Sequence, residues 1–281
     1  MSGRKVMRST RQDNLATMHK QIPSEIAEQV SRACVIIDRH LGHVLQAIHL
    51  YGSALDGGLK PYSDIDLLVT VNRRLDETSR HTLQQDLLAI SAPPGEGDTL
   101  RALEVTVVAC NELVPWRYPP RRELQFGEWL RDDLRAGVYE PLMLDHDLAI
   151  LMTKIRQRSI ALTGPSAADL FDAVPKADFH AALSDTIAQW RNEPDWQGDE
   201  RNVVLALARI WYSASTGEIA SKQVAAEWGL EQLPARHREV LDLARSAYLG
   251  ADDSALVVRK AEIKAFIDYA KMEITGLLSG Q

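Results

Sequence analysis

Two aspartates stand two positions apart where a strand-like apolar run begins, Asp64-Ile-Asp66-Leu-Leu-Val-Thr-Val. Side chains two apart along a strand leave from the same face, so the two carboxylates project together. Close carboxylates repel each other, and their cost falls when a divalent cation lies between them. Oxygen ligands of this kind suit Mg²⁺, which keeps part of its water and shares its shell with phosphates. An earlier apolar run, "LQAIHLYG", stops at Gly52-Ser53. If that run is a strand and Gly52-Ser53 opens a short helix, the backbone N–H groups and the serine hydroxyl face a phosphate. Glycine lets the backbone come close to it. Alone, Asp-x-Asp could face solvent and Tyr-Gly-Ser is unremarkable; the information lies in their combination.

A third apolar run, "LRALEVTVVA", carries Glu104. A lone carboxylate inside such a strand is costly to bury unless it is paired or working. It is either an edge glutamate facing water or a third carboxylate beside the pair, able to ligate metal or to take a proton from an attacking hydroxyl. The order helix ("IPSEIAEQVSRACVIIDRHL", with Ser24 as cap), strand, strand, helix ("ETSRHTLQQDLLAISA"), strand predicts an α/β domain with a mixed sheet. A proline-rich loop, "LVPWRYPPRRELQ", follows. The next segment, "DHDLAILMTKIRQRSIAL", is predicted as one helix ended by Gly164-Pro165. Beyond the junction at "FDAVPKADF" the pattern is helical throughout. The expected division is a basic, polar extension at 1–21, an α/β domain at 22–173 and a helical bundle at 174–281.

With 281 residues the chain can bury a sizeable core. Its net charge of −7 argues against a polyanion such as nucleic acid and tolerates a cationic small molecule. No apolar run reads as a secretion signal or a membrane span, so a cytoplasmic protein is expected; a monomer is the expected unit. The two cysteines, Cys34 and Cys110, are far apart and match no metal-ligand spacing, which fits buried thiols in a reducing compartment.

The set Gly-Ser, ten-residue loop, Asp-x-Asp, "LLVTV" resembles the signature of the nucleotidyltransferase superfamily that includes DNA polymerase β. A closer resemblance lies in "AIHLYGSALDGGLKPYSDIDLLVT", "RALEVTVV", "LVPWRYPPRRELQFGEWLR", "PDWQGDERNVVLALARIWYSASTGEIASK" and "LARSAYLG". These look like the aminoglycoside (3″)(9) adenylyltransferases, streptomycin and spectinomycin resistance enzymes. The likeness runs from about residue 22 to near the C-terminus.

The resemblance implies transfer of AMP from ATP to a drug hydroxyl, with pyrophosphate released and Mg²⁺ required. The carboxylate count fits two metal ions. By residue match, Asp64 and Asp66 are metal ligands, and Glu104 is the catalytic base and a third ligand. Ser53 and Ser63 lie around the triphosphate, and Arg209, Lys222 and Tyr248 meet the nucleotide. Trp129, Trp190, Asp195 and Asp199 surround the drug. Asn202 stands where some relatives carry histidine, and an amide can still hydrogen-bond a hydroxyl. The relatives place the site between the two domains. Read without the resemblance, Asp195 and Asp199 could be helix N-caps, Trp129, Trp190 and Tyr248 packing aromatics, Lys222 an exposed lysine and Asp147 a helix-start carboxylate. His49 reads as a buried histidine, not a catalyst. Arg209, on an apolar helix, calls for an anionic partner in either case. Another aminoglycoside, or a protein side chain, is the alternative acceptor.

Overall fold

Alternation along three adjacent strands builds the platform on which everything else rests. The computed structural model describes residues 22–96 and 99–280; the extension at 1–21 lies outside them. Helix α1 (Ala27–Leu41) leads into β1 (Leu45–Tyr51) and β2 (Ile65–Val71). Then come α2 (Glu77–Leu88), β3 (Leu103–Ala109), the short strands β4 (Arg121–Arg122), β5 (Leu124–Phe126) and β6 (Met143–Leu144), α3 (Asp147–Gln157) and β7 (Ile160–Thr163). The main sheet has the order β5-β3-β2-β1-β7. The β2–β3 pair is parallel, and β1–β2, β1–β7 and β3–β5 are antiparallel, so the sheet is mixed as expected.

Period-2 patterning decides the faces. Ile48, Leu50, Ile65, Leu67, Val69, Val105 and Val107 point to one side, where they pack with Val30, Ile37 and Leu41 of α1 and Leu83 and Leu87 of α2. The intervening residues point to the other side. There Tyr51, Leu68 and Val108 meet Leu148, Met152 and Ile155 of α3. Asp66 and Glu104 belong to this second face, beyond the apolar patch that α3 covers.

Two elements differ from the sequence expectation. The segment after Gln157 is not the last turn of α3: Arg158 is extended (φ −149°, ψ 98°) and Ile160–Thr163 pair with β1 as the sheet's edge strand. The β-branched residues there find backbone partners in the sheet, and the helical pattern yields to them. Leu124–Phe126, at the end of the proline-rich stretch, pairs with β3 at the opposite edge. Ser24 does not cap α1, whose N-cap is Ile26 without a side-chain cap bond.

The second half consists of α4 (Lys176–Ala188), α5 (Glu200–Thr216), α6 (Lys222–Gln232), α7 (Ala235–Tyr248) and α8 (Lys260–Ser279). Its core gathers Phe179, Leu183, Trp211, Leu241, Phe266 and Ile274 around the central α5. Ser221 caps α6 by accepting from the Val224 N–H at 3.3 Å, and Gly217, at φ +76°, ends α5 in the left-handed conformation that glycine tolerates. Helix α4 is tied back to the first half. The Trp116 indole N–H donates to Asp178 at 2.8 Å, the Tyr118 hydroxyl to Asp185 at 2.9 Å, and Thr186 Oγ1 to Asp147 at 2.5 Å. No helix among the described residues is long and apolar enough to cross a membrane. Cys34 and Cys110 are free and partly buried.

His49 is a buried, neutral histidine. Its Nε2 lies 3.0 Å from the Pro165 carbonyl, its ring tilts against Phe171, and its Nδ1 is buried without a partner. Burial lowers its pKa below the ordinary histidine value. The folded state therefore resists protonation that the unfolded chain accepts, so stability is full above pH ~6.5 and declines as pH falls below it. In urea titrations, His49→Gln, which keeps a donor for Pro165, is expected to show a shallower loss of stability between pH 7 and 5. Parallel curves for the two proteins would refute this role.

Candidate active site

The register brings together carboxylates that are far apart in sequence. Tyr51 pairs with Asp66 across β1–β2, and Asp66 pairs with Glu104 across β2–β3. The three residues therefore lie abreast in one row, and directly opposed residues share a face. Asp64, two positions before Asp66, joins them. Gly52 (φ +74°) sits against this row so closely that a Cβ there would lie 1.8 Å from Asp66 Oδ2. The next residue, Ser53, donates its backbone N–H to Asp66.

The row forms the floor of a cleft of about 510 Å³ between the two halves of the chain. Ser53, Ser63, Asp64, Asp66, Glu104 and Lys154 line it from the first half, and Arg209, Lys222 and Tyr248 from the second. Lys222 Nζ lies 5.4 Å from the Tyr248 ring centre. The Tyr248 hydroxyl in turn meets the Ser63 side chain. Glu104 accepts from Gln125 Nε2 at 3.4 Å, and Gln125 Oε1 accepts from the Thr106 hydroxyl at 2.9 Å, so a short chain of hydrogen bonds orients the carboxylate.

Burial and mutual repulsion raise all three acids. Asp64 is pushed up to about 6 by burial and then by Asp66. Glu104 is pushed up to about 7 by burial and then by Asp66 and Asp64. Asp66 is raised by burial, against the pull of Lys154, Lys222 and Arg209. Asp64 Oδ1 is buried and has no hydrogen-bond partner among the described residues. A buried carboxylate oxygen of this kind, beside a second acid, fits a divalent cation. Among the described residues no group of three His, Cys, Asp or Glu side chains is set to hold a metal by itself. Phosphate oxygens therefore have to complete any shell built here, as is usual for Mg²⁺.

Comparison with known proteins agrees with this geometry. The pattern described as "Nucleotidyltransferase domain" matches residues 36–125, and "Aminoglycoside adenylyltransferase, C-terminal domain" matches 169–273. An aminoglycoside (3″)(9) adenylyltransferase from Escherichia coli is 55% identical over 258 residues, covering 92% of this chain and 98% of that protein. The chain belongs to the aminoglycoside (3″)(9) adenylyltransferase family. A spectinomycin 9-adenylyltransferase from Staphylococcus aureus (strain Mu50) is 40% identical over 92% of this chain and 98% of its own length. A crystal structure of a spectinomycin adenyltransferase from Enterococcus faecialis with ATP and spectinomycin superposes with a TM-score of 0.83 at 30% identity, covering 88% of this chain and 98% of that one.

Not every residue suggested by the family resemblance reaches the cleft of this adenylyltransferase. Trp129 does: it is 59% exposed at the rim, and its indole lies over Gly127, where a Cβ would come 2.2 Å from two ring carbons. Asp199 and Asn202 line a separate cavity of about 230 Å³. They connect to the cleft through a chain of side chains, because Asn202 Nδ2 donates to Asp199 at 2.7 Å and Lys222 Nζ donates to Asn202 Oδ1 at 3.4 Å. Asp199 occupies the N-cap position of α5 without capping it, since its carboxylate is engaged by Asn202. Asp195 and Trp190 do not line the cleft. Asp195 accepts from the Arg191 and Asn192 N–H groups at 2.8 and 2.7 Å, closing a capping box on a 3₁₀ turn before α5. Trp190 packs against the helical core, with its carbonyl accepting from Lys271.

Leu151, Lys154 and Arg122 went unnoticed in the sequence, and Asp147 read there as a helix-start carboxylate; all four line the cleft. Asp147, Leu151 and Lys154 form one stripe of α3 that faces the cleft. Their spacing of four and three residues on an otherwise apolar helix was the available signal. Arg122 pairs with Asp145 at 2.8 Å and Glu140 at 3.2 Å on the same wall.

Proposed function

We propose that this enzyme transfers AMP from ATP to the 3″-hydroxyl of streptomycin and the 9-hydroxyl of spectinomycin, releasing pyrophosphate and inactivating the drug. The observation that carries the reading is the row Asp66–Glu104 with Asp64 at the cleft floor, faced by Arg209 and Lys222 from the helical half. The family membership and the ATP- and spectinomycin-bound neighbour support it.

The drug hydroxyl attacks the α-phosphorus in line with the departing pyrophosphate. The new O–P bond forms as the bond to the β-phosphate's bridging oxygen breaks, and pyrophosphate leaves with that electron pair. Glu104 takes the hydroxyl proton; its pKa, pushed up to about 7, suits a base at neutral pH. Ser53 and Ser63, with the backbone at Gly52-Ser53, hold the triphosphate from the sheet side. Arg209 and Lys222 hold it from the other half and offset the charge that develops on pyrophosphate. Tyr248 packs beneath Lys222. Asp64, Asp66 and Glu104 would hold Mg²⁺, in one or two ions. Bound there, it would neutralise the phosphate oxygens and the leaving group.

The cleft's charge suits a cationic drug. Arg122 occupies Glu140 and Asp145, which leaves Asp147 as the acid on that wall to receive an ammonium or guanidinium group. Trp129 offers a flat face, and Asp199 with Asn202 lies beyond Lys222. Trp190 and Asp195, which line neither cavity, act on the drug site only through the packing of the helical half. We take the unit of function to be a monomer in the cytoplasm, divided near residue 174, with no nucleic-acid partner.

The direct test is purified protein with Mg-ATP and each drug in turn, following pyrophosphate release and the mass of the drug. A drug–AMP adduct with pyrophosphate is expected. ADP in place of pyrophosphate would make this a kinase, and AMP appearing on a protein would move the acceptor class.

The two drugs should depend differently on Trp129. Streptomycin carries guanidinium groups, and a guanidinium stacked on an indole is worth up to ~2 kcal/mol, or about 30-fold. Trp129→Ala is expected to lower kcat/KM for streptomycin by about 10- to 30-fold and for spectinomycin by less than ~3-fold. Asp199→Ala should share that bias. Gly127→Ala, whose new Cβ would displace the indole, should reproduce the Trp129→Ala pattern. Equal losses with both drugs would refute this division.

A further inference from the structure

Lys154 is a half-buried lysine with no partner of its own. It stands on the cleft-facing stripe of α3, and its Nζ lies 5.0 Å from the centre of the Tyr51 ring. Tyr51 is abreast of Asp66, which is abreast of Glu104. The ammonium therefore faces the cleft floor from the β1 end of the row, with Asp66 the next residue along it and Glu104 beyond. Among the described residues Lys154 makes no ion pair and no side-chain hydrogen bond. Partly buried arginines elsewhere are engaged: Arg122 by Asp145 and Glu140, Arg131 by Glu128, Arg101 by the Lys60 and Ser63 carbonyls. An ammonium partly withdrawn from water without a partner carries a cost, and this one is kept in the reaction cleft. Arg209, with its Nε buried and unpartnered, is the matching group on the helical side. Burial lowers the Lys154 pKa while Asp66 and Glu104 hold it up, so the ammonium feels both acids.

We propose that Lys154 is the sheet domain's cationic ligand for the nucleotide, contacting a non-bridging oxygen of the α-phosphate and stabilising the charge that gathers there as the drug hydroxyl attacks. The proposal rests on the transferase reading above and adds a residue to it. Position separates its task from that of the other cations. Lys222 lies over Tyr248, which meets Ser63, on the side where the serine residues hold the rest of the triphosphate. Lys154 stands over Tyr51, at the β1 end of the row and next to Asp66. Charge balance points the same way. Lys154 adds a third cation to Arg209 and Lys222 in the cleft that the polyanionic nucleotide enters. The ammonium also needs no reorganisation when nucleotide binds, because the packing of α3 on the sheet already holds its stem in place.

The test compares the wild-type enzyme with Lys154→Met, which keeps the stem and removes the charge, and Lys154→Arg. With Mg-ATP and spectinomycin both saturating, Lys154→Met is expected to lower kcat by about 10²- to 10³-fold, to change KM for ATP far less, and to melt at or above the wild-type temperature. Lys154→Arg should recover part of the rate. The decisive readout uses the two diastereomers of ATP bearing sulfur on the α-phosphate. Wild type should discriminate against sulfur at the oxygen that Lys154 contacts, and Lys154→Met should lose that discrimination. A kcat within threefold of wild type would overturn the proposal, as would unchanged sulfur discrimination or a rate loss matched by a lowered melting temperature. If wild-type protein forms no drug–AMP adduct at all, the transferase reading fails before any variant is compared.

Discussion

Glu104→Gln is expected to abolish AMP transfer while leaving ATP binding nearly intact. The substitution keeps the volume and a hydrogen-bonding oxygen at the position opposite Asp66, so the strand register and the floor of the cleft survive. It removes the carboxylate whose pKa, pushed up to about 7, suits a base at neutral pH. General-base catalysis contributes about 10² to 10⁴ in rate, and loss of a metal-facing oxygen adds to that, so a fall in kcat of ~10³ or more is expected. ATP affinity rests mainly on the serines, Arg209 and Lys222, and nucleotide titration should find it within a few-fold of wild type.

The same carboxylates set the pH response. Burial and repulsion raise Asp64 to about 6 and Glu104 to about 7, so both give up their protons only as pH rises through that range. Metal and nucleotide binding favour the ionised forms and release those protons. Mg-ATP affinity and wild-type turnover should therefore fall as pH drops from 8 to 6. Near-wild-type turnover in Glu104→Gln would remove this residue as the base.

Gly52→Ala should be nearly as damaging, by a different route. The added Cβ would lie 1.8 Å from Asp66 Oδ2, so the carboxylate must leave its place or the loop must open. Either change breaks the bond between the Ser53 N–H and Asp66 and moves both phosphate and metal ligands. A loss of at least ~10² in kcat/KM for ATP is expected, because displacement of about an ångström at a reacting centre has effects of that size. The residue also sits at φ +74°, and alanine there costs of order 1 to 3 kcal/mol in backbone strain alone. Gly58 separates the two causes. It has φ +76°, and a Cβ on it would meet nothing within 4 Å. Gly58→Ala should therefore lower the melting temperature while preserving Mg-ATP affinity, measured by calorimetry. If both variants bind Mg-ATP like wild type, the close approach of Gly52 to Asp66 is not what organises the site.

Much of this site could be read in the chain before it folded. Asp64 and Asp66 share a face because they are two apart, and Gly52-Ser53 ends an apolar run because only glycine suits that turn beside a carboxylate. Arg209 stood out as a cation on an apolar helix, whereas Lys222 read as an exposed lysine that only the family resemblance marked. Other parts were hidden. The segment Ile160–Thr163 looked helical because its pattern continued that of α3, yet an unpaired edge of β1 drew it into the sheet. Trp190 and Asp195 carried the family's pattern, but packing put one against the helical core and the other on a turn. Lys154 carried only its four- and three-residue spacing with Asp147 and Leu151 on α3, a pattern that marks a stripe without saying what the stripe faces.

The sequence by itself determined the elements whose cause is local: the strand faces, the central helices, the phosphate loop and the paired aspartates. Only the tertiary structure decided that Glu104, 38 positions after Asp66, stands beside it, and that Lys154, Arg209 and Lys222 converge on the same cleft. The reason is physical. Periodicity fixes which way a side chain points along its own strand or helix, whereas strand register and helix docking come from burying the sheet's two apolar faces at once. Those choices join residues through space that no local pattern connects.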